Sequence, residues 1–278
     1  MSTEFHGAGP SDAIPSRTEQ TQLGQSHPAP SRPLPAWLVD EPFDDVDHGP
    51  VKTGKEAQVN LVERFGEDGR SCLIARKRYL PRHVTSKGQL EAMGVQRSSA
   101  FRHDVQYREG RQFRKSRDRR AVERMSTYGK HLLQDRWTNH EHDVMARLWH
   151  AGMNVPYPIS FGDDVFDLEY IGDFEMAAPQ LQAARLDDDQ LHEAFRQLID
   201  GLTICTAEGF AHGDLSAYNL LWWEGRLWFI DFPQAIDIAA NIQGLDFLHR
   251  DVVNVCTWFA RRGIMVDAEE VFAEIISR

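Results

Sequence analysis

The chain contains little cysteine and has no long hydrophobic run. Its 278 residues include three cysteines, Cys72, Cys205 and Cys256, which lie far apart and form no CxxC pair. This spacing argues against a disulfide framework and against a cysteine-based zinc site. No apolar run approaches the roughly 18 residues of a membrane-spanning helix, and the first residues lack the apolar core of a secretion signal. We therefore expect a cytoplasmic protein with no membrane segment.

The chain as a whole also lacks an excess of basic residues. Lys and Arg number 31 against 42 Asp and Glu, which gives a net charge of −11. This balance argues against a general binder of nucleic acids or membrane surfaces. Residues 97–124 are an exception, with ten basic and four acidic side chains. They predict either a solvated loop, within a flexible segment at about 82–130, or a docking surface for an RNA or a ribosomal particle.

The beginning of the chain has few large apolar side chains. Residues 1–35 hold six of the 13 prolines. Such a segment cannot bury enough surface to offset its ordering entropy, so it is predicted to be a disordered tail. The folded domain is expected to occupy residues 36–278, with order beginning near Trp37.

Hydrophobic patterning places strands before helices. Residues 58–62 and 71–75 predict one hairpin, and 220–223 with 227–230 predict another. Helical periodicity is found at 137–150, 187–208, 245–261 and 267–276. In the third helix one face is predicted to hold Leu245, Leu248, Val252, Val255 and Phe259. The order of elements is typical of a two-lobed α+β protein.

The strongest motif is His212-Gly213-Asp214-Leu215-Ser216-Ala217-Tyr218-Asn219, followed by Asp231-Phe232-Pro233. The spacing fits the protein-kinase pattern H-x-D-x-x-x-x-N with a later element like D-F-G. In that chemistry one aspartate accepts the proton of an incoming hydroxyl. An asparagine and a second aspartate bind the metal that neutralises the phosphates. Each element alone could be a turn or a strand end, but together they predict a phosphotransfer site.

A site of this kind also needs a lysine for the nucleotide phosphates and a glutamate to hold it. Ile74-Ala75-Arg76-Lys77 matches the pattern V-A-I-K at a strand end and nominates Lys77. Glu141, early in the predicted helix 137–150, is its expected partner. The alternatives are a basic strand edge, since Arg76 and Arg78 flank the lysine, and a surface glutamate.

A loop that covers the phosphates is expected at 53–59, just before the first predicted strand. Gly49 and Gly54-Lys55 resemble a Walker A loop, but Glu56 replaces the hydroxyl that would bind Mg²⁺. No pattern of a strand followed by a helix surrounds these residues either. The sequence therefore argues against a P-loop nucleotide hydrolase.

Taken together, these residues resemble the RIO-type atypical serine/threonine protein kinases, in the bacterial-type form, from about Val51 onward. The segments that carry the resemblance are Thr53 to Val59, Lys77, Trp137 with Glu141, Glu169-Tyr170-Ile171-Gly172, the motif at 212–219, and Ile230 to Gln234. The resemblance implies a two-lobed protein-kinase-like fold, with an N-lobe at about 36–168 and a C-lobe at about 172–278. It also implies that the activation loop and the peptide-binding subdomain are missing. Residues 232–278 are indeed too few for both, and Gly213 replaces the arginine that pairs with a phosphorylated activation loop.

The resemblance implies ATP and Mg²⁺ as cofactors, with Mn²⁺ as an alternative. Asp214 and Asp231 become the catalytic residues, since Asp231 can itself accept phosphate in this family. Asn219 and Asp231 become the metal ligands. The nucleotide-binding residues would be Thr53, Lys55, Glu56, Val59, Lys77, Glu141, Leu168, Glu169, Ile171 and Asn219.

The expected activity is a serine/threonine protein kinase that acts on another protein or on itself, or an autophosphorylating ATPase. A small-molecule kinase of the aminoglycoside or choline type is one alternative, because H-G-D-x-x-x-x-N recurs there. A nucleotide-controlled scaffold that binds RNA or a ribosomal particle through residues 97–124 is another.

Overall fold

The computed structural model describes residues 33–39, 42–54, 57–79, 140–162 and 165–278. Its N-terminal part is a five-stranded antiparallel sheet. The strands are β1 (Phe43–Thr53), β2 (Ala57–Gly66), β3 (Ser71–Tyr79), β4 (Pro158–Gly162) and β5 (Val165–Glu169). They lie in the order β1-β2-β3-β5-β4. The first predicted hairpin is therefore confirmed, and both of its strands are longer than the sequence indicated.

The C-terminal part of the described chain is mainly helical. It contains α2 (Asp188–Ala207), α3 (Gly244–Ala260) and α4 (Ala268–Ser277). Helix α1, at residues 140–150, lies between β3 and β4 in the sequence and belongs to the sheet lobe. Between α2 and α3 lie two small antiparallel pairs, β6 (Phe210–Ala211) with β9 (Ile236–Asp237), and β7 (Leu220–Trp223) with β8 (Arg226–Phe229). A β-sheet lobe followed by a helical lobe confirms the predicted α+β class.

No helix in the described part of the chain is both long and apolar enough to span a bilayer.

Local sequence explains the ends of α2. The Asp187 side chain accepts a hydrogen bond from the Gln190 backbone N–H at 2.8 Å, and the Gln190 side chain bonds back to Asp187. This reciprocal cap satisfies two N–H groups that the first turn of a helix leaves free. Gly209, at φ +83°, ends the helix just beyond its C-terminus. The predicted helix at 187–208 is confirmed.

The second predicted hairpin, β7–β8, is also confirmed. Its two turn residues, Glu224 and Gly225, have φ values of 48° and 74°. Positive φ at both central positions is what a type I′ turn requires. The hairpin packs against α2, where Gln197 bonds the Leu227 backbone N–H at 2.8 Å.

The main hydrophobic core joins α1, α2, α3 and the β7–β8 hairpin. Its fully buried members include Leu148, Leu198, Leu220, Val252 and Phe259. A small second cluster lies under the sheet and contains Val39, Val62, Cys72 and Ile74. The loops after β6 and β8 are therefore held against the helical core.

The structure departs from the sequence prediction at three strands and at one helical residue. The patterning did not predict β1, because most of its residues are exposed and one of its few partly buried positions holds Asp45 rather than an apolar residue. β4 and β5 were missed as well. Leu245 was placed on the buried face of α3, but it is 52% exposed. The first turn of α3 packs through Gly244 against Ile238, so the next residue around the helix points outward.

Four charged side chains form a buried network on one face of the sheet. Arg76 makes a bidentate contact with Asp167, with Nε–Oδ1 at 2.8 Å and an Nη–Oδ2 distance of 2.7 Å, and it also bonds Asp45 at 2.6 Å. Arg64 donates to Asp45 at 2.8 Å. Burial alone would raise the pKa of Asp45, but hydrogen bonds from both arginines outweigh it and lower the pKa. β1 is therefore held to β2, β3 and β5 by ion pairs.

Asp167→Asn should lower the free energy of unfolding by about 3 kcal/mol, because it leaves the partly buried Arg76 without its bidentate partner. Asp68→Asn is the matched control. Asp68 also pairs with an arginine, Arg70 at 2.6 Å, but both side chains are more than half exposed, so the loss should stay below about 1 kcal/mol. Urea unfolding followed by circular dichroism measures both, and equal losses would contradict this account of the network.

Candidate active site

The Lys77 ammonium contacts carboxylates from both lobes. Strand alternation directs Lys77 to the face opposite Arg76 and Arg78. Its Nζ lies 2.9 and 3.1 Å from the two carboxylate oxygens of Glu141 on α1. It also lies 2.9 Å from Oδ1 of Asp231, which follows β8. The structure thus brings together three of the predicted site residues.

Burial makes this cluster electrostatically strong. The Glu141 side chain is 1% exposed and that of Lys77 12%, so the alternative of a surface glutamate does not hold. Burial alone would lower the pKa of Lys77, but the carboxylates of Glu141 and Asp231 raise it. Partial burial would raise the pKa of Asp231, but the charge and hydrogen bond of Lys77 lower it. Lys77 and Asp231 are therefore both charged near neutral pH.

The loop from Asp214 to Asn219 closes on itself through the asparagine side chain. Asn219 Nδ2 donates to the Asp214 backbone carbonyl at 2.9 Å. Because a carbonyl can only accept, this bond fixes which end of the amide is the donor and leaves Oδ1 available as an acceptor. The Ile230 N–H donates to the Asn219 carbonyl at 3.0 Å. The strand that leads to Asp231 is therefore tied to the loop that carries Asn219.

Asp231 has an unusual backbone conformation, with φ at +70°. Residues other than glycine seldom adopt this region, and it is found most often where function requires it. The preceding carbonyl, of Ile230, accepts a hydrogen bond from His212 Nε2 at 3.1 Å. His212 is 2% exposed. The buried histidine thus helps to hold the strained turn that presents Asp231.

The environment shifts the pKa values of Asp214 and Asp231 in opposite directions. Partial burial raises the pKa of Asp214, and the nearby charges of Asp251 and Asp231 add to that effect. The pKa of Asp231 is lowered, as described above. Pairs of carboxyl groups whose pKa values are pushed apart are suited to different chemical tasks. Asp214 fits a proton acceptor, and Asp231 fits a ligand that is ionised at neutral pH.

A buried carboxylate supports the backbone on both sides of Asp214. Asp251 on α3 is fully buried and accepts the N–H of Gly213 at 2.7 Å and of Leu215 at 2.9 Å. Gly213 has φ at +84°, and a Cβ there would lie 2.3 Å from the Gln234 carbonyl oxygen. A glycine is therefore required at this position.

The predicted adenine-binding segment follows β5. The Leu168 backbone pairs opposite Ala75, and Ile171 is 7% exposed. The Glu169 carboxylate accepts the Tyr157 N–H at 3.0 Å, and the Glu169 N–H donates back to the Tyr157 carbonyl at 2.9 Å. Two hydrogen bonds to Tyr157, the residue before β4, therefore hold the segment in place. Its contact with adenine stays a prediction.

The segment expected to cover the phosphates connects β1 to β2, which pair in an antiparallel direction. Thr53 ends β1, and the Gly54 N–H donates to the Ala57 carbonyl at 2.9 Å. Val59 on β2 pairs directly opposite Lys77. An antiparallel hairpin is not the strand–loop–helix arrangement of a P-loop, which supports the rejection of that fold.

Several predictions fall outside the described residues. They are the side chains of Lys55 and Glu56, Trp137, the basic stretch 97–124, the segment at about 82–130, and residues 1–32 of the expected tail.

Sequence reasoning assigned no role to two polar residues that the structure places in the site, although Arg250-Asp251-Val252 resembles a motif of the RIO family's late helix. Tyr79 donates its hydroxyl to Glu141 Oε2, and Asp251 holds the loop around Asp214. Each had a usable signal. Tyr79 is two residues from Lys77 on the same strand face, and Asp251 interrupts the apolar face of α3.

The oxygen donors fit a divalent cation. The carboxylate of Asp231 and Oδ1 of Asn219 are hard ligands of the kind that Mg²⁺ prefers. No group of three or more His, Cys, Asp or Glu side chains forms a metal cage among the described residues. A cation held by Asn219 and Asp231 would complete its coordination with oxygens from a bound phosphate or from water.

The fold and the site define the class of protein. The β-sheet lobe carries the Lys77–Glu141 pair, and the helical lobe carries Asp214, Asn219 and Asp231. The connection from Asp231 to α3 contains only the two-residue strand β9, with no long activation loop. This is a protein-kinase-like phosphotransferase fold without the activation loop.

Comparison with known proteins identifies the family. A sequence profile described as the RIO domain matches residues 91–271. Rio1 of Thermoplasma acidophilum, a RIO-type serine/threonine-protein kinase, is 33% identical over 135 residues, or 49% of this chain and 69% of that protein. Rio1 of Haloferax volcanii is 29% identical over 84% of this chain and 70% of its own length. Human serine/threonine-protein kinase RIO3 is 30% identical over 53% of this chain and 28% of its own length. The chain belongs to the RIO family.

Asp251→Asn tests how the loop around Asp214 is held. The single oxygen of the new amide can still accept one of the two bonds. The NH₂ group of the amide faces the other backbone N–H and leaves that donor unsatisfied. We expect the amide proton of Gly213 or Leu215 to exchange at least about tenfold faster. Hydrogen–deuterium exchange measures this, with the exposed Asp200→Asn as control. Unchanged exchange in a folded Asp251→Asn protein would contradict the assigned role.

Proposed function

We propose that the chain is a serine/threonine protein kinase or an autophosphorylating ATPase that uses Mg²⁺-ATP, with its active site between the sheet and the helical lobe. The single observation that carries the proposal is the Lys77 ammonium, bonded to Glu141 on α1 and to Asp231 after β8. Membership of the RIO family supports the protein-kinase class over a small-molecule kinase.

Lys77 is suited to bind the nucleotide phosphates. Its ammonium has three N–H donors, and two of them face the oxygens of Glu141. The third faces Asp231 at 2.9 Å, whose side chain is 48% exposed. A phosphate oxygen can take this third donor without disturbing the pair with Glu141. Asp231 is then released toward the solvent side of the cleft.

Asn219 and Asp231 would hold the divalent cation, whose charge neutralises the phosphates when it is bound. Oδ1 of Asn219 is oriented by the bond from its Nδ2 group to the Asp214 carbonyl. The tie between Ile230 and Asn219 keeps both ligands on one wall of the cleft. The nucleotide base would lie between Val59, Leu168 and the segment 169–171.

Asp214 would act as the proton acceptor. The acceptor hydroxyl oxygen forms a bond to the γ-phosphorus of ATP while the bond from that phosphorus to the bridging oxygen breaks, and ADP leaves with the electron pair. The hydroxyl proton passes to the Asp214 carboxylate. With water as the acceptor, the same step is ATP hydrolysis. With the Asp231 carboxylate as the acceptor no proton moves, and the product is an acyl phosphate.

Regulation by phosphorylation of an activation loop is not supported. Asp231 is joined to α3 by a short connection, and Gly213 stands where an arginine would bind a loop phosphate. Docking of RNA or a ribosomal particle through residues 97–124 stays a prediction, as does a cytoplasmic location.

ATP turnover by the full chain tests the proposal. Asp214→Asn and Asp231→Asn should each lower kcat at least about 100-fold, because proton transfer and metal binding are lost. Asp200→Asn, an exposed aspartate on α2, should leave turnover within about twofold. Unchanged turnover in both active-site variants would refute the proposed site.

Radiolabelled phosphate that stays on the protein distinguishes the acceptors. Label that hydroxylamine removes is an acyl phosphate, whereas label that resists it is an ester of Ser or Thr.

The dependence of turnover on pH follows from Asp214. A proton acceptor must be ionised, and the pKa of Asp214 is raised above its usual range. The acidic limb of kcat/KM should therefore lie above about pH 4, with a fall of roughly tenfold per pH unit below the pKa. Turnover that stays constant down to pH 4, in protein that circular dichroism shows to be folded, would contradict this role.

A further inference from the structure

Tyr79 lies next to the Lys77–Glu141 pair, at the end of β3. Its position two residues after Lys77 puts both side chains on the same face of the strand. Its ring centre is 5.2 Å from the Lys77 Nζ, and its hydroxyl donates to Oε2 of Glu141. The ring packs against the main core. Tyr79 thus contacts both members of the pair from a rigid strand.

The hydroxyl of Tyr79 is well suited to act as a donor. Burial and the neighbouring charge of Glu141 raise the pKa of Tyr79. The phenol therefore keeps its proton over the pH range in which the protein would work. A protonated hydroxyl that meets a carboxylate makes a charge-assisted hydrogen bond, which is stronger than a bond between neutral groups.

Glu141 needs a second donor besides Lys77. Its side chain is 1% exposed, so solvent contributes little to holding the carboxylate. Lys77 is shared between Glu141 and Asp231 at equal distances of 2.9 Å. A phosphate that binds Lys77 replaces Asp231 at the third N–H donor. The bond from Tyr79 to Oε2 of Glu141 does not depend on the donor of Lys77 that a phosphate would take.

We propose that Tyr79 is a positioning residue for the nucleotide phosphates. Its hydroxyl fixes the carboxylate of Glu141, and Glu141 directs two of the three N–H groups of Lys77, so that the third points to the phosphate. The contact also joins β3 to α1 at a second point beside Lys77. The proposal rests on the proposed function, because it assumes that a nucleotide binds in this cleft.

The test compares ligands with and without phosphates on the full chain. Isothermal titration calorimetry measures the Kd of ADP and of adenosine in the presence of Mg²⁺. Tyr79→Phe, which removes only the hydroxyl, should weaken ADP binding roughly tenfold and change adenosine binding less than about twofold. Thr203→Val, which removes a half-buried hydroxyl from α2, should change neither Kd.

A double-mutant cycle checks that Tyr79 acts through Glu141. In a Glu141→Gln background, Tyr79→Phe should add less than about twofold to the loss of ADP affinity, because the two residues share one path to Lys77. A full additional tenfold loss would overturn the proposal. So would equal weakening of ADP and adenosine, which would mean a general structural effect.

The outcomes separate this proposal from the proposed function. If the wild-type chain binds ADP and Tyr79→Phe binds it equally well, the role of Tyr79 is wrong and the nucleotide site stands. If the wild-type chain binds neither ligand, both are wrong. A shift in thermal unfolding without a change in the ADP Kd would also overturn the role.

Discussion

The contact between Lys77 and its two carboxylates is the interaction on which the site depends. Glu141 lies on α1, which follows β3 in the sequence, and Asp231 lies in the helical lobe. A buried ammonium is stable only when carboxylates compensate for its lost hydration. The sheet, α1 and the turn after β8 must therefore meet at one point. The charge state of the groups in the cleft follows from the same requirement.

The two faces of the sheet allow this arrangement. Three consecutive cations, Arg76, Lys77 and Arg78, would repel one another if they shared a surface. Strand alternation sends Lys77 to the cleft and Arg76 to the other face, where Asp45 and Asp167 neutralise it. The structural network and the candidate site thus occupy opposite sides of β3. β3 therefore contributes Arg76 to the structural network and Lys77 to the candidate site.

The helical lobe supplies the rigidity that the loops lack. Asp251 on α3 holds the backbone around Asp214 from below, and His212 holds the carbonyl before Asp231. Both turns contain a positive φ, which glycine adopts readily at position 213 but which costs free energy at Asp231 and persists there only if the surroundings enforce it. Burial next to the helical core provides that enforcement. The pKa values of the two aspartates move in different directions, because partial burial raises that of Asp214 and Lys77 lowers that of Asp231.

The sequence by itself determined the chemical motifs, both hairpins and the helices at 187–208, 245–261 and 267–276, because turns, caps and periodicity act over a few residues. It did not determine β1, the exposure of Leu245, or the roles of Tyr79 and Asp251. These depend on partners far along the chain: a carboxylate is core-compatible only if an arginine or a backbone N–H meets it in space. Lys77 and Asp231 are 154 residues apart. Sequence motifs could nominate both residues, but only the packing of the two lobes decided that the Lys77 ammonium lies between Glu141 and Asp231.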